Sequence, residues 1–322
     1  MSELSYRPLG RSGLVVSAVG IGCNNFGREG TVTETADGTR AVVDAAIEAG
    51  VSLFDTADIY GREYGLSETL LGSALVGRRD QIVLATKFGH ADYESPIPNW
   101  GAKGSRRYVR LAVEGSLRRL GTDWIDLYQL HTPDPVTPIE ETLAALDELV
   151  CEGKIRYYGH SNFAGWQLTE ADWAARVHAH PAFVSAQNEY SLLVRGAERE
   201  LFPAMRAAGV GFLPYFPLYN GLFTGKFSRD GGPAESRIMR QRKHLLDGAP
   251  WDAIESYQAF CDDRGISMLE ATFGWLLAQD GLASVIAGAT TPAQISANAA
   301  AGAAWRPTAE EDAWISECFP LV

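Results

Sequence analysis

The sequence is poor in the features that mark metal, disulfide and nucleic-acid-binding proteins. Among its 322 residues there are only four cysteines, which are scattered without a CxxC pair or a zinc-like spacing. Basic residues are outnumbered, 28 lysines and arginines against 40 aspartates and glutamates, and the net charge is −12. Because binding a phosphate backbone needs a basic face, this balance argues against a nucleic-acid partner. The cysteine usage predicts a cytoplasmic protein without a bound metal.

Long apolar runs and a secretory signal are also missing. No stretch approaches the roughly 18 consecutive apolar residues of a membrane span, and "MSELSYRPLG" has no basic segment followed by an apolar one. A membrane partner is therefore not expected, whereas the oligomeric state stays open. The dinucleotide fingerprint GxGxxG is incomplete, because Gly20 and Gly22 are followed by Asn25 where the third glycine would fall. A Rossmann-type site is not expected.

What the chain does contain is a regular alternation of apolar strand-like and amphipathic helix-like segments. "SYRPLGRSGLVVSAVGIG" predicts a short β-hairpin turning near Arg11–Gly13 and then a core strand. About eight mostly apolar strands follow one another along the chain, each followed by a helix, and the last lies in "ASVIAG". Residues 216–248 interrupt this alternation. Apolar strands separated by helices indicate a parallel sheet covered by helices. We therefore predict one domain over residues 1–322, a (β/α)8 TIM barrel with an N-terminal hairpin and extra helices.

Polar side chains follow three successive predicted strands. Asp55 and then Tyr60 lie in "FDTADIYG", Lys87 in "IVLATKFG" and His131 in "IDLYQLHTPD". In a (β/α)8 barrel the active site lies where strands end, so we expect these four side chains to converge. A buried lysine needs a carboxylate partner, and its charge lowers the pKa of a neighbouring phenol. Such a set suits reversible proton transfer to a carbonyl oxygen while hydride comes from elsewhere.

Each of these residues also has an ordinary structural explanation. Asp55 could cap a strand end, Lys87 could extend its ammonium into water, His131 could be a hydrogen-bonded loop residue, and Tyr60 could be packing. We favour one shared site as the explanation over four separate coincidences at the ends of successive strands. A barrel hydrolase using Asp55 and Asp58 as paired carboxylates is a further alternative, although it leaves Lys87 unexplained.

Seven segments together resemble the signatures of the aldo-keto reductases, in order: "FDTADIYG", "ATKFG", "DLYQLHTPD", "GHSNF", "QNEYSLL", "GLFTGKF" and "GATTPAQISANAAA". The resemblance implies a (β/α)8 barrel that reduces aldehydes and ketones with NAD(P)H and without a metal. It also implies Tyr60 as general acid, Lys87 as the group that adjusts its pKa, Asp55 as the partner of Lys87, and His131 as an orienting group. Potassium-channel β-subunits resemble the same family and act as regulators, but the short N-terminus here lacks an extension that could plug a pore.

The resemblance further implies a cofactor site, with NADPH as the expected cofactor and NADH possible. Phe216 stands where the family has a serine, and Thr290 where many relatives have an arginine whose charge Arg237 could supply. The implied cofactor-binding residues are Ser161, Asn162, Gln187, Tyr215, Leu218, Leu222, Lys226, Arg237, Gly288, Thr290, Gln294 and Asn298.

A small-molecule carbonyl or alcohol is the expected partner, bound in an open pocket. The long loop "FGHADYESPIPNWGAKG" supplies Tyr93 and Trp100, and Phe26 and Tyr219 are the other predicted pocket walls. Each of these aromatic residues could equally be loop packing.

Overall fold

Eight parallel strands curl into a barrel in the computed structural model, which describes residues 4–321. The strands, with a preceding hairpin, are β1 (Tyr6–Pro8), β2 (Val15–Ser17), β3 (Val19–Gly22), β4 (Leu53–Asp55), β5 (Val83–Phe88), β6 (Ile125–Leu130), β7 (Ile155–Ser161), β8 (Ser185–Gln187), β9 (Gly211–Phe212) and β10 (Val285–Gly288). The sheet runs in the order β10-β3-β4-β5-β6-β7-β8-β9. It closes because Phe212 N donates to Gly281 O at 2.8 Å and Ala283 N donates to Phe212 O at 3.0 Å. The predicted (β/α)8 barrel is therefore confirmed.

Helices surround the barrel and begin and end where the local sequence favours it. They are α1 (Ala36–Glu48), α2 (Leu66–Ala74), α3 (Arg106–Leu120), α4 (Ile139–Cys151), α5 (Gly165–His178), α6 (Leu201–Ala208), α7 (Arg237–Gln241), α8 (Lys243–Asp247), α9 (Trp251–Asp263), α10 (Met268–Ala278), α11 (Pro292–Ala304) and α12 (Ala309–Cys318). The side chain of Ser105 accepts from the N–H of Tyr108 at the start of α3, and Gly121 ends that helix in the left-handed conformation. Within the described part of the chain, no helix is long and apolar enough to cross a membrane.

The N-terminal hairpin closes the bottom of the barrel, at the N-terminal ends of the strands. Strands β1 and β2 pair antiparallel, as predicted. Leu9, Leu14 and Val16 of the hairpin pack with Leu53 and Leu127 from inside the barrel. The hairpin thus buries apolar surface that would otherwise face water, and it leaves the opposite end of the barrel as the open mouth.

Side chains inside the barrel are arranged in layers because successive strand residues point to opposite faces. Leu53 and Ala85 belong to the apolar cluster at the bottom. Two residues further along their strands, Asp55 and Lys87 are buried and polar, and Gln129 of β6 lies beside Lys87 in the strand register. A buried polar layer therefore lies above an apolar one, on the side of the barrel mouth.

Two segments differ from the pattern that the sequence predicts. The apolar segment "VGFLPY" predicts a strand as far as Tyr215, but β9 ends at Phe212. Pro214 has no N–H to continue the ladder, and Tyr215 keeps only an isolated bridge to Glu189. Residues 216–248 contain the five-residue helices α7 and α8, which are too short to show a helical period in the sequence.

Candidate active site

The ends of β4, β5 and β6 bring the predicted catalytic side chains together at the barrel mouth. Asp55 is the last residue of β4, Lys87 is the penultimate residue of β5, and His131 directly follows β6. Because the three strands are parallel neighbours, their C-terminal ends lie side by side. Tyr60 comes from the loop after β4, which is fixed by a hydrogen bond from Ser67 N to Tyr60 O at 3.0 Å.

Lys87 is the centre of this group and is fully buried. Its Nζ donates to Asp55 Oδ2 at 2.5 Å, to the backbone carbonyl of Thr56 at 2.9 Å and to the hydroxyl of Tyr60 at 3.4 Å. An ammonium has three protons, so these three acceptors satisfy it completely. The one contact that reaches toward the mouth is the contact with Tyr60.

The second carboxylate oxygen of Asp55 is held from the other side by two glutamine amides. Gln129 Nε2 and Gln187 Nε2 donate to Asp55 Oδ1 at 3.2 and 3.0 Å. Gln129 was not among the predicted site residues, because the inward direction of its side chain on β6 is not contained in the sequence pattern. The resemblance assigns Gln187 to the cofactor site, and its amide nitrogen donates to Asp55.

The protonation states in this group follow from burial opposed by charge. Burial lowers the pKa of Lys87, but the charges of Asp55 and Tyr60 outweigh it and the net shift is upward. Burial raises the pKa of Tyr60, and the opposing effect of Lys87 does not cancel it, so that the net shift is again upward. The sequence motif indicates only the lowering effect of Lys87 on the pKa of Tyr60, because the desolvation of the phenol cannot be read from it. At neutral pH the pair is therefore an ammonium beside a protonated phenol.

His131 follows β6, the strand next to that of Lys87, and is neutral at pH 7. Its ring and the ring of Tyr60 are edge to face, with centroids 5.8 Å apart. Burial, followed by the charges of Lys87 and His90, lowers the pKa of His131 well below its usual range. Its Nδ1 is buried and has no hydrogen-bond partner among the described residues. A neutral imidazole can donate to or accept from a polar ligand atom next to the Tyr60 hydroxyl.

Four of the predicted cofactor residues form one hydrogen-bonded chain beside His131. Asn162 Nδ2 donates to the carbonyl of His131 at 2.9 Å and to Ser161 Oγ at 3.1 Å, and the Tyr215 hydroxyl donates to Asn162 Oδ1 at 2.9 Å. Ser161 Oγ in turn donates to the carbonyl of Gln187 at 2.7 Å. These contacts fix the edge of the mouth formed by the ends of β7 and β8.

The predicted residues after β9 are spread along an irregular segment. Tyr219 begins a short 3-10 helix, Tyr219–Thr224, in which Leu222 is buried. Leu218 and Tyr219 pack against the cluster beneath helices α9 and α10. Lys226 is exposed, with its ammonium 5.5 Å from the ring centroid of Phe227.

The predicted residues after β10 lie around the start of α11. Gly288 ends β10 and is exposed. The backbone N–H and the hydroxyl of Thr290 both donate to Gln294 Oε1, at 2.7 and 3.0 Å. The side chain of Thr291 caps the helix, and Asn298 is buried about two turns further along.

The predicted pocket walls differ widely in exposure. Phe26 is fully enclosed among core side chains, so the structure places it in packing rather than on an open wall. Trp100 is 83% exposed and has the guanidinium of Arg107 5.3 Å from its ring centroid. Tyr93 contacts His90 edge to face at 4.7 Å, and His90 contacts His131 at 4.6 Å. His90, which the sequence analysis did not single out, therefore connects the loop after β5 to the mouth.

No group of three or more histidine, cysteine, aspartate or glutamate residues suited to a metal ion occurs within residues 4–321. The buried charges at the mouth are instead paired with one another, as Lys87 and Asp55 are. The site therefore combines a protonated phenol, an ammonium, a carboxylate and a neutral imidazole around one opening.

Comparison with known proteins identifies the class to which this fold and site belong. The model of the Aldo/keto reductase family matches residues 18–318. The chain is also 38% identical to an uncharacterized oxidoreductase, YrpG, of Bacillus subtilis (strain 168), over 91% of this chain and 89% of that protein. The chain belongs to the aldo/keto reductase family, and it is an oxidoreductase by that membership.

Other relatives carry different names. The chain is 30% identical to the L-glyceraldehyde 3-phosphate reductase of Escherichia coli (strain K12), over 92% of this chain and 87% of that protein. It is 32% identical to a probable voltage-gated potassium channel subunit beta of Oryza sativa subsp. japonica, over 92% and 90%.

Proposed function

We propose that the protein reversibly reduces aldehydes or ketones to alcohols with NADPH, and less strictly with NADH, and that Tyr60 is the general acid. The observation that carries the proposal is the buried contact of Lys87 with both Asp55 and Tyr60. An ammonium held at a phenol stabilises the phenolate left after the proton is given to a carbonyl oxygen. We further propose that residues 1–322 form one barrel domain and that the protein acts in the cytoplasm. The reducing cytoplasm keeps cysteines as free thiols, and the four cysteines are unpaired.

The surroundings of the mouth suit a reduced nicotinamide dinucleotide, which when bound supplies hydride to the carbonyl carbon. Arg237 Nε is buried without a hydrogen-bond partner among the described residues, and such a donor favours a phosphate group. Asn162, Ser161 and Tyr215 are the residues that we expect to hold the nicotinamide end. Arg237, Lys226 and the start of α11 are the residues that we expect to hold the phosphate and ribose groups.

In the proposed reaction the chain's own residues orient the carbonyl and move one proton. The neutral imidazole of His131 and the hydroxyl of Tyr60 hold the substrate oxygen between them. Tyr60 donates its proton to that oxygen, and Lys87 stabilises the phenolate without leaving Asp55. General acid catalysis of this kind contributes about 10²–10⁴-fold to a rate.

The raised pKa of Tyr60 favours reduction over alcohol oxidation at neutral pH. Reduction needs the protonated phenol, which burial favours, whereas oxidation needs the phenolate as base. We therefore expect reduction to proceed at neutral pH and oxidation to accelerate as the pH rises toward the pKa of Tyr60.

The experiment follows the oxidation of NADPH and of NADH with aromatic aldehydes, short aldehydes and ketones. Wild type is compared with Tyr60→Phe and with the matched control Tyr6→Phe, whose exposed hydroxyl contacts Gly50 at the bottom of the barrel. Turnover that is lost only in Tyr60→Phe, while that variant still binds cofactor, supports the proposal. Cofactor binding by wild type without turnover on any carbonyl would favour the alternative, a cofactor-binding regulatory subunit, since the chain is also similar to a protein named as a probable potassium channel subunit beta. No binding of either cofactor would contradict the proposed site.

A further inference from the structure

The loop after β5, residues 89–105, is held together by one ammonium. Lys103 Nζ donates to the backbone carbonyls of His90, Ala91 and Tyr93, at 2.5, 3.1 and 2.6 Å. An ammonium has three protons, so these three carbonyls take all of them. Hydrogen bonds from a charged donor are stronger than neutral ones. Lys103 therefore fixes the turn 90–93, whose backbone belongs to no helix or strand.

The same turn is bonded to the strand end that carries His131. Thr132 directly follows His131 in the chain. Its hydroxyl accepts from Ala91 N at 2.9 Å and donates to the carbonyl of Gly89 at 3.2 Å. The turn is thus held on one side by Lys103, from the far end of its own loop, and on the other side by the neighbour of an active-site residue.

These contacts hold the imidazole of His90 in place. Its ring lies edge to face against the rings of His131 and Tyr93, with centroid distances of 4.6 and 4.7 Å. The Nδ1 atom of His90 accepts from Asp92 N at 3.2 Å, so the neutral ring carries its proton on Nε2. Because His90 touches His131, the position of His90 affects any ligand that binds at His131.

Lys103 also acts on His90 through its charge. The titratable groups that face His90 are Asp92, Tyr93 and Lys103 of its own loop and His131 of the neighbouring strand end. Burial lowers the pKa of His90, the charge of Asp92 opposes this effect, and the charge of Lys103 adds to it, so that the net shift is downward. Two neutral imidazoles therefore lie side by side at the mouth.

We propose that Lys103 is a positioning residue of the active site, which fixes the turn 90–93 so that His90 forms, beside His131, a wall against which the carbonyl substrate binds. The proposal rests on the proposed function, which defines that substrate. Lys103 itself takes no part in proton transfer, because the loop carbonyls engage its three protons. Its removal should therefore weaken the binding of the carbonyl compound and leave the binding of cofactor unchanged.

The first test compares wild type with Lys103→Met, Lys103→Arg and the matched control Lys154→Met. Lys154 precedes β7 at the opposite end of the barrel, where it pairs with Glu114 and Glu152. KM and kcat are measured for an aromatic aldehyde at saturating NADPH, and tryptophan fluorescence gives the dissociation constant of NADPH. Lys103→Met should raise KM about 10-fold, with kcat and the dissociation constant nearly unchanged. Lys103→Arg keeps the charge and the donors and should recover most of this loss.

The pH profile of kcat/KM separates a positioning role from a merely structural one. Protonation of His90 places a cation against the ring of His131, so we expect kcat/KM to fall below the pKa of His90. Lys103→Met removes a charge that lowers this pKa and should move the acid limb of the profile to higher pH. Asp92→Asn, at an exposed position, removes a charge that raises it and should move the limb to lower pH. A substitution that only loosened the loop would lower kcat/KM at every pH without displacing the limb.

A second measurement does not depend on catalysis. Hydrogen exchange of the Ala91 N–H, which donates to Thr132, should be faster in Lys103→Met than in wild type, Lys103→Arg or Lys154→Met. The proposal is overturned if this exchange is unchanged, or if KM and the acid limb of Lys103→Met match those of Lys154→Met. If wild type reduces no carbonyl and the exchange still accelerates in Lys103→Met alone, the proposed reaction fails and the positioning of His90 by Lys103 stands.

Discussion

Replacing Asp55 by asparagine removes the charge that balances the buried ammonium of Lys87. The pair is held at 2.5 Å, with Lys87 fully buried and Asp55 2% exposed. The asparagine amide cannot serve both neighbours: its NH2 group must face either the Lys87 ammonium or the NH2 groups of Gln129 and Gln187, which now donate to Asp55. Either orientation sets donor against donor. Breaking a buried pair from one side costs about 3–5 kcal/mol, and we expect that loss in the free energy of unfolding.

The loss of unfolding free energy in Asp55→Asn should depend on the presence of Lys87 and on pH. In Asp55→Asn/Lys87→Met the unpaired cation is gone, so we expect a coupling energy of about 2–3 kcal/mol between the two substitutions. In Asp55→Asn alone, burial lowers the pKa of Lys87 without the opposing carboxylate. A lysine whose pKa is lower folded than unfolded binds fewer protons when folded, and stability then rises with pH. The penalty should therefore shrink between about pH 7 and pH 10.

Urea unfolding followed by tryptophan fluorescence measures both effects on the four members of the cycle. Lys87→Met alone should cost less than Asp55→Asn alone, because Asp55 keeps its two amide donors. A coupling energy near zero, or an Asp55→Asn penalty that does not change with pH, would refute the claim that the ion pair holds Lys87 in place.

Two other predictions concern stability away from the reacting groups. Burial and the charge of Glu68 raise the pKa of Asp58 to about 7, so the stability that its protonated form contributes is lost as the pH rises from about 4 to about 7. Between about pH 5 and pH 8, wild type should therefore lose about 2–3 kcal/mol more unfolding free energy than Asp58→Asn. Parallel pH profiles of the two proteins would contradict this. A Cβ at Gly72 in α2 would lie 2.5 Å from the backbone of Leu120 in α3. Because overpacking costs about 1–3 kcal/mol, Gly72→Ala should lower the melting temperature by several degrees. The control Gly196→Ala should leave the melting temperature unchanged, because a Cβ there meets nothing within 4 Å.

Much of the barrel can be predicted from the sequence because its strands are short apolar segments with helices behind them. The same alternation predicts that Asp55, Lys87 and His131 end neighbouring strands, and the structure brings them together. What the pattern does not contain is the direction of each side chain. Gln129 supports Asp55 only because it points inward, and Phe26 belongs to the packed core although its loop lies at the mouth.

The conformation of the segment after β9 could not be predicted from local sequence patterns. The left-handed conformation of Phe216 is unfavourable for that residue, so it depends on tertiary contacts that the sequence does not display. The charge of Arg242 helps to lower the pKa of Arg28 although the two residues are far apart in the sequence. The raised pKa of Tyr60 depends on the balance of burial and charge, which the motif alone leaves open.

Hydride transfer in a single turnover tests the central claim most directly. Wild type, Tyr60→Phe and Tyr6→Phe are each loaded with NADPH and mixed rapidly with an aromatic aldehyde, and the loss of the nicotinamide signal is followed. The account predicts that Tyr60→Phe binds NADPH about as tightly as wild type and transfers hydride about 10²–10⁴-fold more slowly, while Tyr6→Phe behaves like wild type. Transfer by Tyr60→Phe at the wild-type rate would contradict the assignment of Tyr60 as the proton donor.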